Sequence, residues 1–497
     1  MGMSGIAITD HECLSAHMEV NQFMKKFRQE HPDFTVALGN EIYLTFDRTT
    51  NQKYWHFILI AKDEIGHKGL RELSTTAWQN SYVDRRMERV PTLKNELAEI
   101  MLKYQGHIIA TSACMGGELS TNAYNMAIAQ EKGDMESAKY HYEEIQNFMS
   151  FVLELFGDDF YIECAPSTRK DQIITNQKLL NIARAYNVPI VVGTDAHFMT
   201  EADRPIHKAY LNSKDGEREV DDFYEFARLM TPDECAELLF KSFDANVVDE
   251  IFENSKKLQE KIQWYSLERK QIIPKVPVKV YSEWDIYNYI KHIDWNFSAG
   301  KWPTLKYLYD EGNPQEKYWL LECIKSLQEK DLHNNVSYWD RLETEADVIK
   351  YIGEQLDDCL FAYFNTFKHY IDLFWECGSI VGPGRGSATG FLSNYLLGIT
   401  QLDPIRWGLP YWRFLNRERA ELPDIDIDLA PSKRPIVFNA IRKERGDLGL
   451  VQVATFGTEG TKSAILTACR GYRSADCPDG IDVDIAQYMS SLIPQER

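Results

Sequence analysis

The feature that most constrains this chain is a row of alternating aspartates, Pro423-Asp424-Ile425-Asp426-Ile427-Asp428-Leu429. Successive side chains of a β-strand point to opposite faces. Asp424, Asp426 and Asp428 are therefore expected on one face, with Ile425, Ile427 and Leu429 buried on the other. Three carboxylates on one edge repel one another at neutral pH, and a hard divalent cation is the usual remedy. The same alternation also describes an ordinary amphipathic strand with a hydrated face. What tilts the reading is the stretch upstream, Val381-Gly382-Pro383-Gly384-Arg385-Gly386-Ser387-Ala388-Thr389-Gly390. Glycines let the backbone approach a phosphate closely, and a helix expected over about 390–397 would add positive potential at its N-terminus. A phosphate-cradling loop beside a cation-binding edge is the equipment of two-metal phosphoryl or nucleotidyl transfer.

Composition sets the bounds. The 497 residues suffice for several domains, and 44% hydrophobic with 12% aromatic residues supply packed cores rather than disorder. No apolar run approaches the roughly 18 residues of a membrane span, and Met1–Glu12 lacks the features of a secretory signal, so the expectation is a cytoplasmic protein without a membrane partner. Nine cysteines without CxxC pairs indicate neither a disulfide framework nor a zinc ribbon. A net charge of −20 argues against a surface coated in nucleic-acid contacts. Residues 432–473 depart from that balance, with eight Lys or Arg against three acids. They read either as a solvated face or as a phosphate-backbone track.

To about residue 255 the pattern alternates β-like runs (5–9, 35–38, 55–61, 107–112, 160–163, 189–194) with amphipathic helices such as 135–155 and 172–186. This rhythm predicts parallel strands with functional residues at their C-terminal ends, in the manner of an α/β barrel. Residues 260–345 are aromatic-rich and helical, and helices are expected over 344–356 and 360–377 before the glycine loop. The expected domains are 1–255, 256–455 and 456–497.

Five successive elements then carry a resemblance: Gly382–Ser387, Ile399–Pro404, Arg413–Arg419, Pro423–Asp428 and Ala454–Thr458. In order and spacing they closely resemble motifs of family C DNA polymerases, the bacterial polymerase III α subunits. The first domain resembles the polymerase and histidinol phosphatase (PHP) domain that opens those enzymes, through Thr9-Asp10-His11, Gly39-Asn40-Glu41, His56, Ser112-Ala113-Cys114 and Thr194-Asp195-Ala196-His197. The implied fold is α/β and multidomain: a PHP-type (β/α) barrel, a nucleotidyltransferase-like (polymerase beta-like) palm, and the start of a helical thumb.

The resemblance implies a DNA-directed DNA polymerase acting in replication on primer-template DNA and deoxynucleoside triphosphates. It assigns catalysis and Mg²⁺ binding to Asp424 and Asp426, and nucleotide binding to Arg385, Gly386 and Ser387, with Arg385 well suited to bidentate phosphate contact. It assigns PHP metal ligands to His11, Glu41, His56, Cys114, Asp195 and His197, for Zn²⁺ or Mn²⁺. Two family features are expected to be missing: the His-x-His element of the first PHP strand, and the third palm carboxylate, which lies beyond the Thr-Phe-Gly-Thr element. The expectation is thus an N-terminal half of a split polymerase with a partial PHP site. It would be inactive alone and would work with a C-terminal chain carrying the third Asp and the fingers, and with other replisome subunits. The alternatives are a metal-dependent phosphoesterase or 3′-5′ exonuclease acting through the first domain, and a non-catalytic replication scaffold.

Overall fold

The computed structural model describes residues 2–49, 54–84, 87–213, 222–290, 300–419, 421–453, 455, 457–473 and 477–494. The chain divides into two compact units, one of Met1–Glu268 with Gly457–Arg497 and one of Arg269–Phe456. The segment expected to begin a separate thumb therefore belongs with the first unit. There its helices Thr461–Gly471 and Val483–Ser491 pack with each other, and the former packs against the helix Arg204–Ser213. The basic stretch 432–473 is correspondingly shared between the two units. Ala454 and Phe456 of the fifth motif lie outside the described residues.

The first unit is organised by strands β1 (Gly5–Ile8), β2 (Thr35–Thr45), β3 (Trp55–Ala61), β4 (Tyr82–Asp84), β5 (Met87–Arg89), β6 (Pro91–Leu93), β7 (Ile108–Thr111), β8 (Phe160–Cys164) and β9 (Ile190–Val192). Seven of them form one sheet in the order β1-β2-β3-β7-β8-β9, with β6 beside the far end of β2; β4 and β5 make a separate hairpin. The all-parallel expectation needs correction at β3, which runs antiparallel to both β2 and β7. The reason is the connection: fewer than ten residues separate β2 from β3, whereas a parallel pair needs a crossover of about a dozen or more. Strand β2 also continues well past the expected Leu38, because Gly39–Leu44 pair with β3.

Apolar side chains of the sheet, among them Ile42, Leu44, Phe57, Leu59 and Phe160, are buried against Leu70 and Leu73 of the helix Glu64–Gln79 and Phe148, Met149 and Val152 of the helix Met135–Phe156. The sheet curls without closing: no ladder joins β1 to β9 among the described residues. The helix Ala245–Glu260 spans that seam. Asn254 donates to the Ile190 carbonyl (3.1 Å) and Ser255 Oγ accepts from Val192 N (3.3 Å) on the β9 edge. One turn on, Gln259 Nε2 donates to the Ser4 carbonyl (3.1 Å) beside β1. The helix thus satisfies edge groups that a closed barrel would pair strand to strand.

The second unit is helical where the pattern predicts it. Pro314–Glu329 begins with Pro at its first turn, and Asn313 and Glu316 form a reciprocal cap. Val336–Leu356 and Phe361–Glu376 follow. Trp319, Leu320, Ile324, Leu342, Ile349, Phe361 and Phe364 form its core with Phe391 and Phe414. Two expectations change here. The helix after the glycine loop is only Leu392–Leu396, preceded by a 3-10 turn over Gly386–Gly390. The aspartate row is extended but forms no ladder among the described residues; its one bridge pairs Leu429 with Val381. Pro423 lacks an N–H to contribute to a ladder, and Tyr363 takes up the Pro423 carbonyl through its hydroxyl.

Candidate metal centre and phosphate loop

In the first unit five of the six expected ligands come from strand ends and one, Glu41, from inside β2, and the sheet brings these positions together. His11 follows β1 and bridges to Glu41 in β2; His56 starts β3; Cys114 follows β7; Asp195 and His197 follow β9. Donor atoms of His11, Glu41 and His56 all lie within 4.8 Å of one another. His56 Nδ1 is 2.6 Å and His11 Nδ1 3.8 Å from the Glu41 carboxylate. The Cys114 thiol is 3.6 Å from His56 Nδ1. The His197 ring lies 6.1 Å from that of His11 and is held by the backbone carbonyl of Asp195 (2.8 Å). Three of the six, His11, Glu41 and His56, thus cluster closely enough to share one ion, while Cys114 borders His56, His197 borders His11 and Asp195 borders His197 outside that cluster.

Electrostatics there follow from burial and crowding. Burial opposes the Glu41 charge, yet His56 and His11 outweigh it and hold its carboxyl below the ordinary range. Burial likewise opposes protonation of His56, but Glu41 raises it above its usual value. Burial, with the Glu41 charge second, pushes Asp195 up, and burial pushes the Cys114 thiol well up. His11 Nδ1 is buried without a hydrogen-bond partner. An orphaned imidazole nitrogen facing a carboxylate and a second imidazole is a donor set suited to a divalent transition ion. Backbone strain collects at the same place: Glu12 (φ 47°), Ala113 (φ 57°) and Asp195 (φ 45°) are left-handed non-glycine residues, each part of or adjacent to the donor set.

One neighbour escaped the sequence reading. Glu163 in β8 accepts from the Thr111 hydroxyl at 2.6 Å. Burial first, and the charges of Glu41 and Asp195 after it, push its carboxyl up to about 7. The available signal was a carboxylate inside the apolar run Phe160–Cys164.

In the second unit the loop and the aspartates meet. Gly384 (φ 108°) and Gly386 (φ 62°) adopt backbone that other residues rarely reach. Between them Arg385 extends to Asp426 (Nε–Oδ2 3.6 Å) and Asp428 (Nη1–Oδ1 3.5 Å). The Gly382 amide donates to the Asp428 carbonyl at 2.8 Å. Asp424, Asp426 and Asp428 are exposed while Ile425 is buried and Ile427 half-buried, so the expected faces hold even without a ladder. Ser387 sits in the turn that Arg385 precedes.

The expected contribution of a helix N-terminus does not hold. The amides of Leu392 and Ser393 are already bound by the two carboxylate oxygens of Glu345, at 2.7 and 2.8 Å. Glu345 is fully buried in the helix Val336–Leu356 and paired with Arg341 at 2.8 Å. Arg341 Nη2 in turn donates to the carbonyls of Gly390 (2.5 Å) and Leu409 (2.9 Å). Of the groups expected to meet a phosphate, this leaves Arg385 and the Gly384–Ser387 backbone.

Comparison with known proteins adds an independent line. Residues 1–167 match the PHP domain, and residues 316–497 match the bacterial DNA polymerase III alpha NTPase domain. The whole chain is 39% identical to part of the DNA-directed DNA polymerase of Bacillus phage SPbeta, covering 38% of it. It is 27% identical to the DNA polymerase III subunit alpha of Aquifex aeolicus, over 99% of this chain and 38% of that one. The corresponding subunit of Thermus aquaticus is also 27% identical, over 98% and 40%. The chain thus spans about two-fifths of the length of these relatives.

The buried pair gives a test. Glu345→Ala leaves Arg341 uncompensated and two amides uncapped, and is expected to lower unfolding free energy by about 3–5 kcal/mol. Denaturant titration of both proteins measures it, and a loss under about 1 kcal/mol would contradict the assigned scaffold role.

Proposed function

From a chain that carries a PHP domain and a bacterial DNA polymerase III alpha NTPase domain, we infer that the second unit contributes the nucleotide-binding loop and two catalytic carboxylates of a replicative DNA-directed DNA polymerase. The observation that carries this reading is the placement of Arg385 against Asp426 and Asp428, which puts the glycine loop and the aspartate row on one surface. Arg385, with the backbone of Gly386 and Ser387, binds the triphosphate of an incoming deoxynucleotide. Asp424 and Asp426 hold Mg²⁺, their exposed carboxylates having hard oxygen donors and no core to disturb. When bound, the ions lower the cost of ionising a primer 3′-hydroxyl and neutralise the departing pyrophosphate. Asp428, on the same face, is a further anchor for Arg385. Primer-template DNA, and the remaining polymerase and replisome components with which this chain works, belong to the same proposal.

For this reading, Mg²⁺-dependent binding of a deoxynucleoside triphosphate is the direct assay. Asp424→Ala is expected to remove the Mg²⁺ dependence, and Arg385→Ala to weaken binding at least about tenfold, as loss of a charge-assisted phosphate contact does. Wild-type affinity in both variants would exclude the assignment.

The first unit supports a second activity, because its donors include an orphaned buried His11 nitrogen. Its six-residue set of two carboxylates, three imidazoles and a thiol fits Zn²⁺ or Mn²⁺, and such an ion would activate water for phosphoester cleavage. Elemental analysis after dialysis should find a bound transition ion that Glu41→Ala and His56→Ala lose. Retention of full metal content by both variants would refute the site. Hydrolysis of a generic phosphate ester that depends on His11 and not on Asp424 would make this unit a phosphoesterase; metal content without hydrolysis would make it structural.

A further inference from the structure

The second unit carries a cavity of about 440 Å³, lined by Ser337, Arg341, Ile405, Leu409, Tyr411 and Trp412 among others and by none of the three aspartates of the row. Trp412 lines it and Trp407 lies five residues earlier in the same stretch of chain; the core uses neither, Trp407 being 62% exposed and Trp412 59% exposed. Trp412 sits in the 3-10 turn Tyr411–Arg413, and Trp407 is carried on a braced turn. Asp403 accepts from the amides of Ile405 (3.0 Å) and Arg406 (3.2 Å) and from the Tyr338 hydroxyl (2.6 Å), fixing the turn that displays Trp407. The Arg406 guanidinium lies 5.6 Å from the Trp407 ring centre, and the Arg341 guanidinium 5.2 Å from that of Tyr411. The wall of the cavity also abuts the glycine loop: Arg341 ties Gly390 to Leu409, and a Cβ on Gly390 would come within 2.6 Å of the Pro410 carbonyl.

Charge distinguishes the occupant. Residues 404–419 hold four arginines and one glutamate in a protein of net charge −20. Among the described residues Arg417 pairs with Asp347 and Arg419 with Glu421, whereas Arg406 and Arg413 have no ion-pair partner. An exposed tryptophan on a braced turn and a second in the next 3-10 turn, interleaved with arginines that have no ion-pair partner among the described residues, match a polyanion with exposed aromatic bases: the rings stack on bases and the guanidinium groups meet the backbone. A duplex would offer the phosphates but keep its bases stacked inside.

We propose that Trp407 and Trp412, with Arg406 and Arg413, form a platform for unpaired bases of single-stranded DNA. The ligand class rests on the polymerase reading, in which an unpaired template strand is present near the loop. Binding at the platform itself requires neither metal nor nucleotide.

The test is fluorescence anisotropy of a short labelled oligothymidylate with the full chain in EDTA. Failure of nucleotide binding in Asp424→Ala then leaves this result standing. The Trp407→Ala/Trp412→Ala protein is expected to bind at least about tenfold more weakly, given typical base-aromatic stacking. Because both rings are exposed, its thermal unfolding should match wild type. Trp284→Ala, which removes another exposed tryptophan of this unit, should bind as wild type, and blunt duplex should compete poorly. Arg413→Ala should lower the salt dependence of binding by about one phosphate contact. Undetectable binding by the wild-type chain, unchanged affinity in the double variant, or an equal loss in Trp284→Ala would overturn the proposal.

Discussion

Glu345 holds the second unit's chemistry in place. A carboxylate with no solvent exposure gives one oxygen to the Leu392 amide and the other to the Ser393 amide, and is neutralised by Arg341 from one turn away on the same helix. Burial pushes its carboxyl up, while Arg341 and the two amides pull the other way. Such a pair adds little net stability compared with an apolar replacement, but losing one member is costly, so its value lies in fixing geometry. The geometry fixed is that of the loop's exit. Arg341 grips Gly390 and Leu409, leaving the loop's other end, with Arg385, to extend toward the aspartates. The glycine loop is thus anchored behind and open in front.

The first unit reaches a comparable end by different means. Its donors are dispersed over most of the domain's sequence and meet only because each stands at or just beyond a strand of one curled sheet. The left-handed residues Glu12, Ala113 and Asp195 show where the chain turns sharply to aim them. Strain of that kind is sustained when the surrounding packing over-determines it, and the largely buried strands β2, β3, β7 and β8 provide such packing. The helix Ala245–Glu260, bonded to both edges of the sheet, keeps β1 and β9 in register across the gap and so helps hold His11 near His197.

Much of this was legible in the sequence, and the failures are physical rather than accidental. The strand positions of the first unit follow from short apolar runs, and the facing of Asp424, Asp426 and Asp428 follows from alternation alone. Strand direction does not: β3 reverses because of a short connection, a feature periodicity does not encode. Ladder formation does not either, since Asp-Ile alternation fixes sidedness and says nothing about a partner strand. The helix-dipole argument at the glycine loop failed because Glu345, about 45 residues upstream, had already claimed the amides. Long-range satisfaction of backbone groups overrides a local motif. Glu163 was passed over because a single acid in an apolar strand reads as noise until its neighbours Glu41 and Asp195 are placed beside it.

In the proposed reading the glycine loop and the aspartate row form one nucleotide-metal site. Anomalous diffraction from crystals of this chain soaked with Mn²⁺ and a non-hydrolysable deoxynucleoside triphosphate addresses it most directly. The expected result is an anomalous peak coordinated by Asp424 and Asp426, with the triphosphate on Arg385, Gly386 and Ser387. A nucleotide bound away from the loop, or an ordered triphosphate on the loop with no ion at either carboxylate, would contradict it.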